Sequence, residues 1–311
     1  MFSTTQKEEL KKLFSEEIGF DLSLSPFTSI HVGGPADAMI WPKNEEELVQ
    51  ALVWAKEKKI PCLILGKGSN TLVKDGGFRG LVISLTKGFR HFGIAKENGH
   101  HVWVQAQGGV PTQQFVRWCV DQGLGGAERL AGVPGTIGGN VFMNAGTHLG
   151  EIADLLEEVQ ICDAKGKLMT LPKAKLEFEY RKSSIPPSTV VVNAVMKLEK
   201  GERGKLEKIL REIFEKRGLS QPVELPNLGS IFKNPSTTAQ SKKKAWELVE
   251  EASCKGVRVG GARVSEKHAN FIVNEGNATA KDVLILIGLI KDKVKQTTGI
   301  LLETEIKVVG E

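Results

Sequence analysis

A chain of 311 residues is too long for one small core and suits two or three domains. Apolar residues at 41%, charged residues at 25% and a net charge of +5 describe an ordinary globular protein with a mild basic surplus. No basic run is interleaved with aromatics, which argues against a nucleic-acid binder; Lys242-Lys243-Lys244 reads as the solvated start of a helix.

Residues 5–17 show helical spacing, with Leu10, Leu13 and Phe14 on one face. An irregular lead-in, "DLSLSPFTSIHVGGPAD", follows. Asn44 with Glu47 three residues on is an N-cap with its reciprocal acid, opening a helix through Lys59. "PCLILGKGSN" reads as a buried strand running into a glycine loop. "LVISL" reads as another strand, and "HVWVQAQ" alternates like a half-buried one. Residues 111–122 read as a helix. The stretch 123–150 holds nine glycines in 28 residues, and the strand-rich "LEEVQICDA" and "TVVVNAVMKLEK" come after it. Helical spacing returns over 202–217, and a change of composition near 200–225 marks a domain boundary. A helix over 241–252 precedes "GVRVGGARVSEKHANFIVN", which reads as short strands joined by a turn. Thr279 and Asp282 cap a helix that ends near Gly299, and "LLETEIKVVG" reads as a terminal strand.

Cys62, Cys119, Cys162 and Cys254 are at least 43 residues apart and form no C-x-x-C. They read as reduced, buried thiols rather than a metal site. No charged-then-apolar leader and no apolar run of about 18 residues appears, so a cytoplasmic protein is expected.

Two glycine clusters adjoin expected strands: "LGKGSNTLV" (65–73) and "AGVPGTIGGNVFMNAG" (131–146). Glycine allows close backbone approach and positive φ, so successive N–H groups can converge on an anion. One such cluster reads as tight turns; two, edged by Asn and Ser, point to a phosphate-bearing ligand. Neither has the spacing of a dinucleotide fingerprint, and no P-loop is present. A large ligand held by two separated loops remains.

These two stretches resemble the FAD-binding domain of the UDP-N-acetylenolpyruvoylglucosamine reductases. The resemblance continues in order through "EYRKSSI", "GSIFKNP", "GGARVSEKHANFIVN" and "LLETEIKVVG", and covers roughly residues 28–309. It implies an α+β protein. A lead-in over 1–27 precedes a two-subdomain FAD-binding domain of the vanillyl-alcohol-oxidase type over 28–205. A C-terminal α+β substrate-binding domain occupies 206–311. The activity implied is a step of bacterial peptidoglycan precursor synthesis. NADPH gives a hydride to non-covalently bound FAD, and hydride then passes from flavin N5 to C3 of UDP-N-acetylglucosamine enolpyruvate. A proton must reach C2, and no metal is involved. No nucleic acid, membrane or obligate protein partner is implied.

The same resemblance distributes the roles. Ser230 falls at the proton donor, Arg181 at the arginine that polarises the substrate carboxylate, and Glu305 at the acid that helps stabilise the enol. Flavin contacts are implied for Gly66, Lys67, Gly68, Ser69 and Asn70. In the second loop they are implied for Gly132, Val133, Pro134, Gly135, Thr136, Gly138, Gly139, Asn140, Asn144, Ala145 and Gly146. Tyr180, Lys233, Asn234, Lys267 and His268 are candidates for substrate contact. Lys233 and Lys267 suit a pyrophosphate as point charges, and Lys233 is also a candidate to stabilise the serine alkoxide. Taken alone, serine after glycine is turn chemistry, an Arg after Tyr is a surface ion pair, and a Glu on a terminal strand is solvated. Their order within matching motifs is what favours the catalytic reading.

Tyr180 is the only tyrosine, and 49 residues separate Arg181 from Ser230. The chain therefore resembles the shorter, type II subclass, which lacks a tyrosine-bearing loop. It departs from the family's usual wording at "NLGS", "LETE", "NAGTHLG", Asn140 and His31. His31 and His148 are read as not bonded covalently to flavin. The competing readings are a flavin-dependent oxidase of the same superfamily and a flavoprotein that only binds.

Overall fold

The computed structural model describes residues 2–14, 17–235 and 242–311. It forms two compact units. The first holds Met1–Phe20, Asp37–Lys67 and Gly80–Glu215; the second holds Asp21–Ala36, Gly68–Arg79 and Lys216–Glu311. These units are not contiguous in sequence, so they follow different lines from the sequence-based division at 27/28 and 205/206.

In the first unit, Ser3 and Gln6 exchange side-chain and backbone hydrogen bonds and start α1 (Thr4–Leu13). This helix ends sooner than its spacing suggests, and residues 15–16 of the expected stretch lie outside the described residues. The Asn44 side chain accepts the Glu47 N–H at 2.9 Å and opens α2 (Glu45–Glu57). Leu48, Leu52 and Ala55 bury one face of α2 in a cluster with Ala38, Ile40, Leu81 and Ile83. Those last four come from a four-stranded sheet ordered Ile18–Ser23, Pro35–Ile40, Phe78–Ile83, Cys62–Ile64. The sequence leads one to expect Cys62–Ile64 buried, but it is the edge strand, and Cys62 is exposed. The other three cysteines are free and buried. Burial pushes the Cys162 thiol up to about 11, so it stays protonated at neutral pH.

A second α+β layer of this unit is antiparallel. Its strands run Leu168–Pro172, Leu156–Cys162, Val190–Lys200, His101–Gln107, Phe92–Asn98, with Leu124–Gly125 also paired to Val190–Lys200. Val102, Val104 and Ala106 alternate inward. They pack with Phe115, Val116 and Cys119 of α3 (Thr112–Asp121) and with Ile137 and Val141 of α4 (Ile137–Met143).

The helix α4 was not foreseen in the glycine stretch. Each glycine costs a helix interior about 1 kcal/mol relative to alanine. The position of Gly138 explains why it is tolerated: a Cβ there would fall 2.9 Å from the Gly108 carbonyl oxygen and 3.0 Å from that of Val191. Close packing of helix on sheet needs the bare backbone. The helix α5 (Arg203–Ser220) carries the chain out of the first unit.

The second unit pairs Arg258–Val259, Ala262–Val264 and Ile272–Asn274 as an antiparallel sheet. Against it lie α6 (Ala245–Glu251) and α7 (Ala280–Thr298). The expected start at 241 lies outside the described residues; the helix begins at Ala245, where the Lys244 N–H donates to the Glu247 carboxylate. Thr279 and Asp282 form the expected box on α7, and Gly299, at φ 76°, terminates it. The asparagine-free middle of α7 buries Val283, Leu286, Ile290 and Val294 with Leu228, Phe232, Leu248 and Ile272. Ile30, Val32 and Leu72 join the same core. Of the expected terminal strand only Lys307–Val309 forms, parallel to an unforeseen strand, Thr71–Val73. Among the described residues no helix is long and apolar enough to cross a membrane.

Candidate functional site

The two glycine loops meet inside the first unit. A Cβ built on Gly66 would fall 2.9 Å from Thr136 Oγ1. Gly132 and Gly135 take φ of 79° and 105°, which only glycine adopts cheaply. Gln113 staples this turn: its Nε2 donates to the Val133 carbonyl at 2.6 Å, and its Oε1 accepts the Gly132 N–H at 3.2 Å. Pro134 is exposed at the tip. Thr136 caps α4 by accepting the Gly139 N–H at 3.4 Å.

Further along the loop, several expected flavin contacts spend their side chains within the unit. Asn140 is buried, and its Nδ2 donates to Thr112 Oγ1 at 2.6 Å. Asn144 ends α4 in the left-handed region at φ 45°; its Nδ2 donates to Glu151 and to the Glu179 carbonyl. Ala145 donates to the Asn140 carbonyl at 2.8 Å. Arg181 lies beside Gly146, with Nη2 donating to the Gly146 carbonyl at 3.0 Å. Its Nη1 stands 3.6 Å from Glu151, and its guanidinium lies 4.7 Å from the centre of the Tyr180 ring. The side chain is 17% exposed, and its backbone is left-handed at φ 58°. Holding a non-glycine residue there costs of order 1–2 kcal/mol.

In the second unit, turn chemistry precedes Ser230 rather than using it. Asn227 Oδ1 accepts the Gly229 N–H at 2.9 Å, and Gly229 takes φ 72°. The half-buried Ser230 hydroxyl has no hydrogen-bond partner among the described residues. Past the turn, Ile231-Phe232-Lys233 runs antiparallel to Glu303-Thr304-Glu305. The Glu305 N–H donates to the Ile231 carbonyl at 2.8 Å, Lys233 N–H donates to the Glu303 carbonyl at 2.9 Å, and Phe232 pairs with Thr304. This short pairing brings Ser230 and Glu305 together across 75 residues of sequence. Asn70 holds the other edge: its Nδ2 donates to the Glu305 carbonyl at 3.4 Å, and its own carbonyl accepts the Lys307 N–H at 2.9 Å.

The remaining candidates have partners of their own. Lys233 Nζ pairs with Glu303 at 2.6 Å and Lys267 Nζ with Glu224 at 3.5 Å. Asn234 Oδ1 accepts the Ala245 N–H at the start of α6. His268 stacks edge-on to Phe271 and accepts the Asn270 N–H at Nδ1. Burial lowers its pKa, which favours the neutral ring with the proton on Nε2. His31 and His148 are exposed.

Sequence reasoning missed Gln113 and Asn270. The signal for Asn270 was an amide amid the apolar pattern of "ANFIVN", which a core accepts only when every polar atom is bonded.

Residues 221–309 match the family described as "UDP-N-acetylenolpyruvoylglucosamine reductase, C-terminal domain", and residues 36–172 match "FAD binding domain". The UDP-N-acetylenolpyruvoylglucosamine reductase of Syntrophus aciditrophicus (strain SB) is 41% identical over 305 residues, 98% of this chain and 96% of that protein. The chain belongs to the UDP-N-acetylenolpyruvoylglucosamine reductase family. The reductase of Syntrophotalea carbinolica is 43% identical over 288 residues, 93% of each chain. Among solved structures, the UDP-N-acetylenolpyruvylglucosamine reductase of Thermus caldophilus superposes with a TM-score of 0.79 at 35% identity, covering 94% of this chain and 98% of that one. A vanillyl-alcohol-oxidase-type flavoprotein of Myceliophthora thermophila C1 has a TM-score of 0.55 at 9% identity, covering 96% of this chain and 86% of that one, and so shares the fold.

An FAD binding domain implies a pyrophosphate, and unused backbone N–H groups in the glycine turns are candidate donors for one. In the first unit the N–H groups of Gly66 and Lys67 have no acceptor among the described residues. The same holds for the N–H groups of Gly135 and Thr136. Consecutive unused amides in glycine turns fit an anion. Gly139 offers a clean test of this fit. Its position is exposed, and a Cβ there meets nothing closer than Thr136 Oγ1 at 3.6 Å. Gly135 is less suitable, since its φ would strain any replacement. Gly139→Val is therefore expected to fold normally but to carry several-fold less FAD, read as flavin absorbance per protein beside the melting temperature. Full flavin occupancy in the folded variant would remove Gly139 from the binding loop.

Proposed function

We propose that this chain reduces UDP-N-acetylglucosamine enolpyruvate to UDP-N-acetylmuramate in the cytoplasm, with NADPH as reductant. Bound FAD would supply the redox chemistry, hydride transfer from NADPH to the enolpyruvyl C3. The two glycine loops hold FAD without a covalent bond, through backbone N–H groups. Hydride addition at C3 leaves carbanion character at C2, delocalised into the neighbouring carboxylate. Arg181 stabilises that carboxylate electrostatically, as a planar guanidinium suits a carboxylate's two oxygens. Ser230 delivers its hydroxyl proton to C2, and Glu305 helps stabilise the enol form. Lys233 and Lys267 attract the pyrophosphate of the sugar nucleotide, with Tyr180, Asn234 and His268 completing the substrate contacts.

The observation that carries this reading is the unpartnered Ser230 hydroxyl beside a backbone pairing that fixes Glu305, in a chain of this family. A serine that only made the turn would have spent its hydroxyl there, as Asn227 spends its amide. The decisive measurement is NADPH oxidation by the flavin-loaded protein with and without the enolpyruvyl nucleotide. Strong stimulation with lactyl ether formed is expected; oxidation that depends on oxygen alone would favour an oxidase.

NADPH and the sugar nucleotide use one cleft in turn. The sequence holds no dinucleotide fingerprint for a separate nicotinamide site, and both hydride transfers use the same flavin. Initial-velocity plots at varied concentrations of both substrates are expected to be parallel in double-reciprocal form. Lines that intersect at low substrate would require both ligands bound together.

A further inference from the structure

Asn270 is 4% exposed and makes three bonds of 2.9 Å to the residues that follow Ser230. Its carbonyl accepts the Ile231 N–H. Its Oδ1 accepts the Phe232 N–H, and its Nδ2 donates to the Phe232 carbonyl. The side-chain amide thus pairs with Phe232 as a neighbouring strand's backbone would. Two successive peptide groups are fixed by this one residue. The Ser230–Ile231 peptide is held through the Ile231 N–H. The Ile231–Phe232 peptide is held through the Phe232 N–H, and the carbonyl of that same peptide accepts the Glu305 N–H at 2.8 Å. One rigid peptide plane therefore connects Asn270 on one edge with Glu305 on the other. Asn270 is itself anchored, its N–H donating to His268 Nδ1 at 3.3 Å.

We propose that Asn270 is a positioning residue for proton delivery: it sets the direction of the Ser230 hydroxyl and its register with Glu305. The inference rests on the reading of Ser230 as proton donor. Phe232 is buried, so without the Asn270 amide its N–H and carbonyl have no solvent to turn to. The backbone must shift to satisfy them, and Ser230 shifts with it. A displacement of about 1 Å at a reacting group costs on the order of 10²-fold in rate. Asn270 touches neither substrate nor flavin in this account, so substrate affinity should change little while turnover falls.

The test uses full-length, flavin-loaded Asn270→Ala and Asn270→Ser, each alone and combined with Ser230→Ala. Anaerobic stopped-flow follows flavin reduction by NADPH and reoxidation by the enolpyruvyl nucleotide separately. Reduction is expected to stay within a few-fold of the unsubstituted protein, and reoxidation to fall by about 10²-fold with kcat affected far more than KM. In the Ser230→Ala background the Asn270 replacement should add almost nothing, because residues acting through one another are not additive. Slow reoxidation in Ser230→Ala with a normal rate in the Asn270 variants, or effects that multiply, would overturn the positioning role and leave Ser230 in place. Normal reoxidation in Ser230→Ala itself would remove the donor reading and this inference with it. Failure of both Asn270 variants to fold would assign the residue to stability and also overturn the proposal.

Discussion

Replacing Ser230 by alanine is expected to slow reoxidation of the reduced enzyme by the enolpyruvyl nucleotide by about 10²–10⁴-fold, the usual reach of a positioned acid. Flavin binding and flavin reduction by NADPH should remain close to normal, because no proton goes to C2 in that half-reaction. The structure makes the substitution a mild one for the fold. Gly229 and Asn227 form the turn, and the Ser230 hydroxyl bonds to nothing among the described residues, so alanine leaves no orphaned partner. A loss confined to reoxidation therefore reports chemistry. Ser230→Cys is expected to keep part of the activity, since a thiol also donates a proton. Damage to both half-reactions alike, or an unchanged reoxidation rate, would falsify the donor role.

The features legible in the sequence were those that are local. Asn44 with Glu47, and Thr279 with Asp282 and Gly299, announce helix ends through side chains that reach three residues or backbones that need positive φ. The alternation of Val102, Val104 and Ala106 shows a half-buried strand in the same way. What was not legible depends on contacts across long separations. The strand Thr71–Val73 has three residues and gains its definition from Lys307–Val309, far along the chain. The helix α4 runs against propensity because Gly138 must approach the Gly108 and Val191 carbonyls. The edge position of Cys62, and hence its exposure, follows from strand order rather than from composition.

The candidate site divides along the same line. Ser230, Arg181 and Glu305 are candidates because motif order carries over from a resembling family. Their supports were not legible, since Gln113, Asn270 and the Asn70 clamp on Glu305 act through geometry that no local pattern expresses. Asn140 and Asn144 stand in the flavin-loop motif, and their side chains bond to Thr112, Glu151 and Glu179 within the unit, which leaves their backbone groups as the means of any ligand contact. An asparagine in a glycine-rich loop serves the loop's own backbone as readily as a ligand.

Replacing Arg181 tests the electrostatic half of the chemistry. The residue has two readings that its geometry makes separable. As a strut, it holds the second glycine loop through the Gly146 carbonyl and pairs with Glu151. As the carboxylate's partner, it stabilises charge that grows only when C2 becomes carbanionic. Arg181→Met keeps the length and much of the packing against Tyr180, and like arginine it must take the left-handed backbone at φ 58°. The backbone cost is thus the same before and after, and the change isolates the guanidinium. If the carboxylate reading holds, reoxidation by the enolpyruvyl nucleotide should fall by about 10²–10³-fold, the loss typical of one oxyanion-stabilising donor. Flavin content and reduction by NADPH should stay near normal. Arg181→Lys should recover only part of the rate, because an ammonium supplies charge without the planar fork. If the strut reading holds, Arg181→Met should instead lose flavin, with the remaining loaded enzyme turning over at its usual rate. Flavin absorbance and stopped-flow on the same preparation decide between them: an activity loss that tracks flavin content would take Arg181 out of the chemistry and leave it as part of the loop.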